Sequence, residues 1–260
     1  MNREVKSVGF AFHRAPVTEE EVQSVMSPDS PVELTRIREA YRRRTQTVPA
    51  DRYSRFRPDS MLRVQEIEWQ IVRLLARNGF SGLRNKKILE IGCGDGAWLR
   101  AFVQWGALPE NVFGIDLLPG KIEQARKMCP QGVHLVCGNA AALAFPEASV
   151  DLVLQFTVFT SVLDPTMRKC IAAEILRVLK PEGFMLWYDF YVNNPSNPDV
   201  RGVRKNEIRK LFACSRIRLQ RITLAPPIGR IVGRYSPLLY QLLSRTKILC
   251  THYLGLIQKN

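Results

Sequence analysis

The chain has no run of about 18 or more apolar residues, which excludes an ordinary membrane-spanning helix. Its first residues, MNREVKSVGFAFHRAP, lack the apolar core of a secretory signal. Six cysteines stand at 93, 129, 137, 170, 214 and 250, and no two form a C-x-x-C pair. That spacing disfavours zinc and fits reduced thiols, so a cytoplasmic setting is expected and no metal. Histidine is scarce, with three in all. His134 opens an apolar segment and reads as structural. His252 reaches a substrate only if the last strand starts on the substrate side.

Acid is missing from one region. Residues 201–260 hold 13 lysines and arginines against a single acid, Glu207. Residues 33–57 hold eight basic and three acidic side chains, whereas residues 58–200 are balanced at 14 to 15. The net charge of +14 therefore sits in an N-terminal segment and the C-terminal quarter. Such asymmetry points to an anionic partner or surface, with a solvated basic face as the plain alternative.

What is present is regular alternation. Residues 1–30, broken by Pro16 and Pro28, read as a loose arm that ends at Pro31. Residues 33–46 are Arg-rich and helical in pattern. Ser60 is placed to cap a helix over 61–77, whose Val64, Ile67, Ile71, Leu74 and Leu75 follow helical spacing. Strands are then expected at 87–91, 112–116, 133–137, 150–156 and 184–189. Helices between them carry Trp98, Leu99 and Phe102, then Ile122 and Ala125, then Ile171, Ile175 and Leu179. Apolar strands alternating with helices indicate an α/β fold whose mostly parallel sheet is covered on both faces. A helix at 206–212, strands at 217–224 and 252–258, and a helical insertion at 226–247 complete the pattern.

The segment ILEIGCGDG, residues 88–96, runs an apolar strand into glycines at 92, 94 and 96. Glycine lets backbone approach a ligand closely, because no Cβ intervenes. Asp116 ends the next apolar strand, where a carboxylate suits a ribose diol. The spacing is G-x-G-x-G rather than the G-x-G-x-x-G of dinucleotide folds.

Four segments in this order, ILEIGCGDG, GIDLLPGKIEQAR, CGNAAALAFPEASVDLVLQF and EILRVLKPEGFMLWYD, resemble the class I S-adenosylmethionine-dependent methyltransferases. The likeness covers residues 60–190 and has the motif order of the small-molecule, type 11-like branch. It implies a Rossmann-like, seven-stranded sheet with helices on both faces. It also implies S-adenosylmethionine as cofactor and S-adenosylhomocysteine as product. Glu90 would support the glycine loop and, through it, the methionine amino group. Gly92, Cys93, Gly94, Asp95 and Gly96 would form the turn against the cofactor. Asp116 would accept from both ribose hydroxyls, and Leu117 would pack on adenine. Asn139 with Ala140 replaces the family's usual Asp-Ala, and the amide oxygen can still accept a bond from the adenine amino group. Gln155 and Phe156 would lie beneath the methionine part.

Methyl transfer from a sulfonium needs alignment and exclusion of water more than a strong base. Asp189, at the end of the fifth strand, is the candidate substrate-facing acid or base, because ligands of open α/β sheets bind at the carboxyl ends of strands. The expected division is a cap at 1–60 and a methyltransferase domain at 61–260. Tyr41, Tyr53 and Phe56 are candidates to cover the cofactor. The sixth strand should run parallel, so that the insertion 226–247 leaves from the rim of the site as a lid. Its leucines pack on the core, or its basic amphipathic surface meets lipid, or it contacts RNA phosphates. Sparse aromatics argue against RNA. The expected activity is O-methylation of a glycan-type, natural-product or lipid-linked hydroxyl, with peripheral contact at the inner membrane surface. RNA methylation and a non-catalytic binding module are the alternatives.

Overall fold

The computed structural model describes residues 31–260, so the expected loose arm at 1–30 lies outside the described residues. Two helices open the described chain, α1 (Pro31–Thr47) and α2 (Pro58–Ala76), separated by a short 3-10 turn at Ala50–Tyr53. The core alternates β1 (Ile88–Ile91), α3 (Ala97–Gln104), β2 (Val112–Asp116), α4 (Pro119–Met128) and β3 (His134–Cys137). It continues with β4 (Val150–Phe156), α5 (Pro165–Val178), β5 (Leu179–Phe190), α6 (Lys205–Leu211) and β6 (Arg216–Leu224). The helical hairpin α7 (Pro226–Tyr235) and α8 (Pro237–Thr246) precedes β7 (Cys250–Gln258).

The sheet has seven strands in the order β3-β2-β1-β4-β5-β7-β6. Strands β1 to β5 pair in parallel. β7 is antiparallel to both β5 and β6, so β6 runs parallel to β5 and the hairpin does leave from the carboxyl edge. The chain order reverses between β1 and β4. That is the switch point where open α/β sheets leave a crevice at the strand ends.

Each face of the sheet buries its own core. On one side Ile67, Ile71 and Leu75 of α2 join Leu99 and Phe102 of α3 over Ile88, Leu152 and Leu186. On the other, Leu34 and Ile37 of α1, Ile171 and Ile175 of α5, and Ile208 of α6 cover Leu89, Val153 and Trp187. Each such side chain contributes about 1.5–3 kcal/mol by leaving water. The central strands β1 and β4 are mainly apolar because both of their faces are covered.

Some local expectations differ from the structure. Ser60 does not cap α2: Arg57 holds the cap position, Pro58 starts the helix, and Ser60 is buried in its first turn. Proline at the first helical position loses no hydrogen bond, so the helix begins there. β5 begins at Leu179, earlier than expected, because Leu179 already pairs with Val150. The edge strand β3 is mostly exposed rather than covered.

Candidate active site

The turn after β1 is held by its own glycines. Gly92, Gly94 and Gly96 have φ of 65°, 55° and 76°, the left-handed region that side chains disfavour. At Gly92 a Cβ would stand 2.6 Å from Val158 Cγ2, whereas at Gly94 it would meet nothing within 4 Å. The first position is closed by packing, and the second presents bare backbone to open space.

Asp116 fastens this turn to the end of β2. Its Oδ2 accepts from Gly94 N at 2.8 Å and its Oδ1 from Leu118 N at 2.9 Å. Burial raises its pKa, and those two N–H groups oppose the rise. The carboxylate still lines a cleft with Gly92, Leu117, Asn139, Ala140 and Phe156. Asn139 Oδ1 accepts from Ala141 N at 3.0 Å, which shapes the turn after β3. Phe156 is stacked on Trp98, with centroids 4.3 Å apart and planes 9° apart.

The other expected cofactor residues, Glu90, Cys93, Gly94, Asp95, Gly96 and Gln155, do not line this cleft. Glu90 is buried in mid-strand, and its Oε2 has no hydrogen-bond partner among the described residues. Burial, with the charges of Asp116 and Asp95, pushes its pKa well above the carboxylate range. Cys93 is buried in the core, where burial raises its thiol pKa. Asp95 Oδ1 accepts from Ala97 N, two residues on at the first residue of α3. Gln155 is fully buried, and its Oε1 accepts from Val158 N at 3.0 Å.

Asp189 does not face the cleft. It is 1% exposed, and its oxygens accept from Thr160 Oγ1 (2.6 Å), Thr160 N (3.1 Å) and Phe190 N (3.1 Å). A carboxylate enclosed this way positions the turn at 157–161 rather than meeting a substrate. Burial, opposed by these bonds, lifts its pKa from 3.8 to about 7. The folded pKa exceeds the unfolded one, so the stabilisation is full below about pH 4 and is lost as pH rises through 7. At ~1.4 kcal/mol per pKa unit the span is up to roughly 4 kcal/mol. Urea unfolding at pH 4.5 and 7.5 should show wild type losing more stability over this interval than Asp189→Asn, which keeps only the dependence of the other buried acids, Glu90 and Asp116 among them. Parallel pH curves for the two proteins would rule this out. His252 does lie at the carboxyl edge, paired with Phe190, but it is stacked on Tyr188 and burial lowers its pKa to about 3. It is a neutral ring there.

The cover over the cleft comes from α1. Ile37 and Tyr41 line the cleft, whereas Tyr53 and Phe56 are exposed. Glu33 and Arg36 dock this helix, and sequence reasoning missed both. Glu33 Oε1 accepts from Leu163 N and Asp164 N, and Arg36 donates to Ser161 O at 2.6 Å. Burial pushes the Glu33 pKa up, but Arg36 and these N–H groups outweigh it and hold it low. No local pattern announces this contact, because its partners lie some 125 residues away. No residue of 226–247 lines the cleft. The hairpin packs on α2 instead, with Gly233 against Asp59. A larger cavity lies between α2, β6 and α8, away from the glycine turn. The chemistry of the turn and of Asp116 marks the smaller cleft as the candidate active site.

Residues 88–183 match the family described as "Methyltransferase domain". That stretch is similar to a methyltransferase domain, and the sheet has the class I methyltransferase fold. Domains of this class take S-adenosylmethionine as methyl donor. A tRNA N(3)-cytidine methyltransferase of Gallus gallus is 28% identical over 112 residues, 40% of this chain and 30% of that protein. A phthiotriol/phenolphthiotriol dimycocerosates methyltransferase of Mycobacterium ulcerans is 34% identical over 117 residues, 44% of this chain and 40% of that protein. The chain thus spans less than half the length of either relative. The protein solved in complex with the Haloferax volcanii Trm112 methyltransferase activator shares the fold. Its TM-score is 0.56 at 19% identity, over 77% of this chain and 93% of that one. The methyltransferase match ends before β6, the hairpin and β7, so the basic C-terminal quarter lies outside it.

Proposed function

We propose that this protein methylates a hydroxyl of a small acceptor, of glycan, natural-product or lipid-linked type, using S-adenosylmethionine. The observation that carries the reading is the cleft at the β1/β4 switch point, which Gly92, Asp116 and Asn139 line together with Ile37 and Tyr41 of α1. The donor set suits a nucleoside: a carboxylate at the end of β2 for a diol, and an amide at the end of β3 for an adenine edge. Glu90, buried with an unbonded oxygen, suits support of a cationic amino group. When bound, S-adenosylmethionine supplies a methyl group already activated by its sulfonium.

The chain's own residues would then orient and enclose. Ile37 and Tyr41 exclude water, which leaves alignment to supply about 7–11 kcal/mol. Thr157, Ser161 and the Tyr41 hydroxyl line or border the cleft and offer polar contacts to a hydroxylic acceptor. Residues 61–260 would form the methyltransferase domain and the preceding segment its cap. We place the protein in the cytoplasm with peripheral contact at the inner membrane surface. Among the described residues no helix is long and apolar enough to cross a membrane.

The likeness to a tRNA methyltransferase and the basic C-terminal quarter favour RNA as a second reading. Calorimetry with S-adenosylmethionine, followed by labelled-methyl transfer into fractionated cell extract, separates the cases. Binding with label in the small-molecule or lipid fraction is expected. No binding at millimolar ligand defeats the reading. Label in RNA, with affinity falling steeply between about 50 and 200 mM salt, transfers it to the alternative.

A further inference from the structure

The hairpin α7–α8 has its amphipathicity turned outward. Ile231, Tyr235, Leu238 and Leu242 are 65%, 76%, 67% and 51% exposed, and Leu239 is exposed as well. The expectation that these leucines pack on the core holds only for Leu243, which is partly buried against Leu224, Tyr240 and Cys250. The hairpin is nonetheless firmly seated. Tyr240 is buried and donates to Glu66 Oε2 at 3.0 Å, Ser236 caps α8 through Leu239 N, and Gly233 lies against the Asp59 backbone. A packed pair of helices therefore presents aliphatic side chains to solvent.

Cations border these side chains. Arg234, Arg245 and Lys247 are exposed, and none has an ion-pair partner among the described residues. On α8, Arg245 lines a groove of about 750 Å³ that Arg73, Arg77, Arg221 and Trp69 also line. The one carboxylate lining that groove, Glu66, is occupied by Tyr240 and Thr223 N. After Glu207 the chain has no acid at all. The surface therefore combines exposed aliphatics, an indole and unopposed positive charge.

We propose that the α7–α8 hairpin docks this protein on the surface of an anionic phospholipid bilayer. Ile231, Tyr235, Leu238 and Leu242 enter the interface, and Arg234, Arg245 and Lys247 meet headgroup phosphates. Charge complementarity selects this occupant. A second copy would oppose one basic face to another. RNA would pair the cations but give the exposed aliphatics nothing to contact, and stacking rings are few. A helix with apolar residues on one face and cations beside them lies in the plane of an interface. Because β6 ends at the carboxyl edge, docking brings that edge toward the membrane. For a lipid-linked acceptor, this consequence rests on the methyl-transfer reading above, whereas docking itself is measured without turnover.

The test is flotation of the full chain with vesicles of phosphatidylcholine alone or with one third phosphatidylglycerol. Binding to the anionic vesicles alone is expected. It should fall at least about tenfold in the triple variant I231S/L238S/L242S and in R234Q/R245Q/K247Q. Calorimetry with S-adenosylmethionine on each variant reports that the cleft and fold persist, since none of these residues lines the cleft. Three results would overturn the proposal: no binding to either vesicle, undiminished binding of the apolar variant, or capture by RNA oligonucleotides in place of vesicles. Vesicle binding without S-adenosylmethionine binding would leave docking standing and remove the methyl-transfer reading, and the converse would do the reverse.

Discussion

Replacing Glu90 by leucine is expected to give a more stable protein that binds S-adenosylmethionine poorly. Glu90 is buried at the centre of the sheet among Ile88, Leu89 and Ile91, with Oε2 unbonded. An unsatisfied buried polar atom costs about 1–3 kcal/mol, and a leucine of similar volume removes that cost. The unfolding midpoint in urea should rise accordingly. Binding should lose about 1.5–3 kcal/mol, the worth of a hydrogen bond to a charged group. A pH series sharpens the test. Burial raises the pKa of Glu90 and so favours its protonated form without ligand, and stabilising a cation through its carboxylate should release protons. Wild-type affinity should therefore increase with pH, and Glu90→Gln should weaken that dependence. Tight binding by Glu90→Leu would refute the assignment.

Asp116→Ala should weaken the same ligand by roughly 1.5–3 kcal/mol, with an additional loss from loosening the turn. The carboxylate accepts the N–H groups of Gly94 and Leu118, so its removal frees backbone on both sides of the cleft. The decisive comparison is between fragments. Adenosine should lose affinity for Asp116→Ala as much as the whole cofactor does, because the ribose lies in that half. Unchanged adenosine affinity in a folded variant would show that Asp116 only ties the loop. Asp116→Asn keeps one acceptor but turns an amide N–H toward a backbone donor, so it should fall between wild type and alanine.

Much of this was legible in the chain itself. The alternation of apolar strands and helices dictated a covered parallel sheet. The glycines at 92, 94 and 96, with an acid at 116, pointed to a nucleoside site, and Gly92 and Asp116 line the cleft. Strand ends recur at fixed places in such a sheet, so residues distant in sequence could be gathered on one edge by topology alone. Leu117, Ala140 and Phe156 line the cleft.

Asp189 shows the limit of that reasoning. Sequence put it at the right strand end, yet a turn closes over it through Thr160, and only the packing of that turn decides whether a carboxylate meets solvent or backbone. Glu33 shows another limit. Its partners at 163 and 164 are joined to it by the fold and by no local pattern. The leucines of α8 show a third. Helical spacing established that Leu238, Leu239 and Leu242 share a face but not what that face meets. Periodicity is a property of one segment, whereas burial depends on which other segments arrive. The sequence by itself therefore determined the sheet, the glycine turn and Asp116. Tertiary structure decided that α1 covers the cleft, that Asp189 is enclosed, and that the basic hairpin turns its apolar side outward.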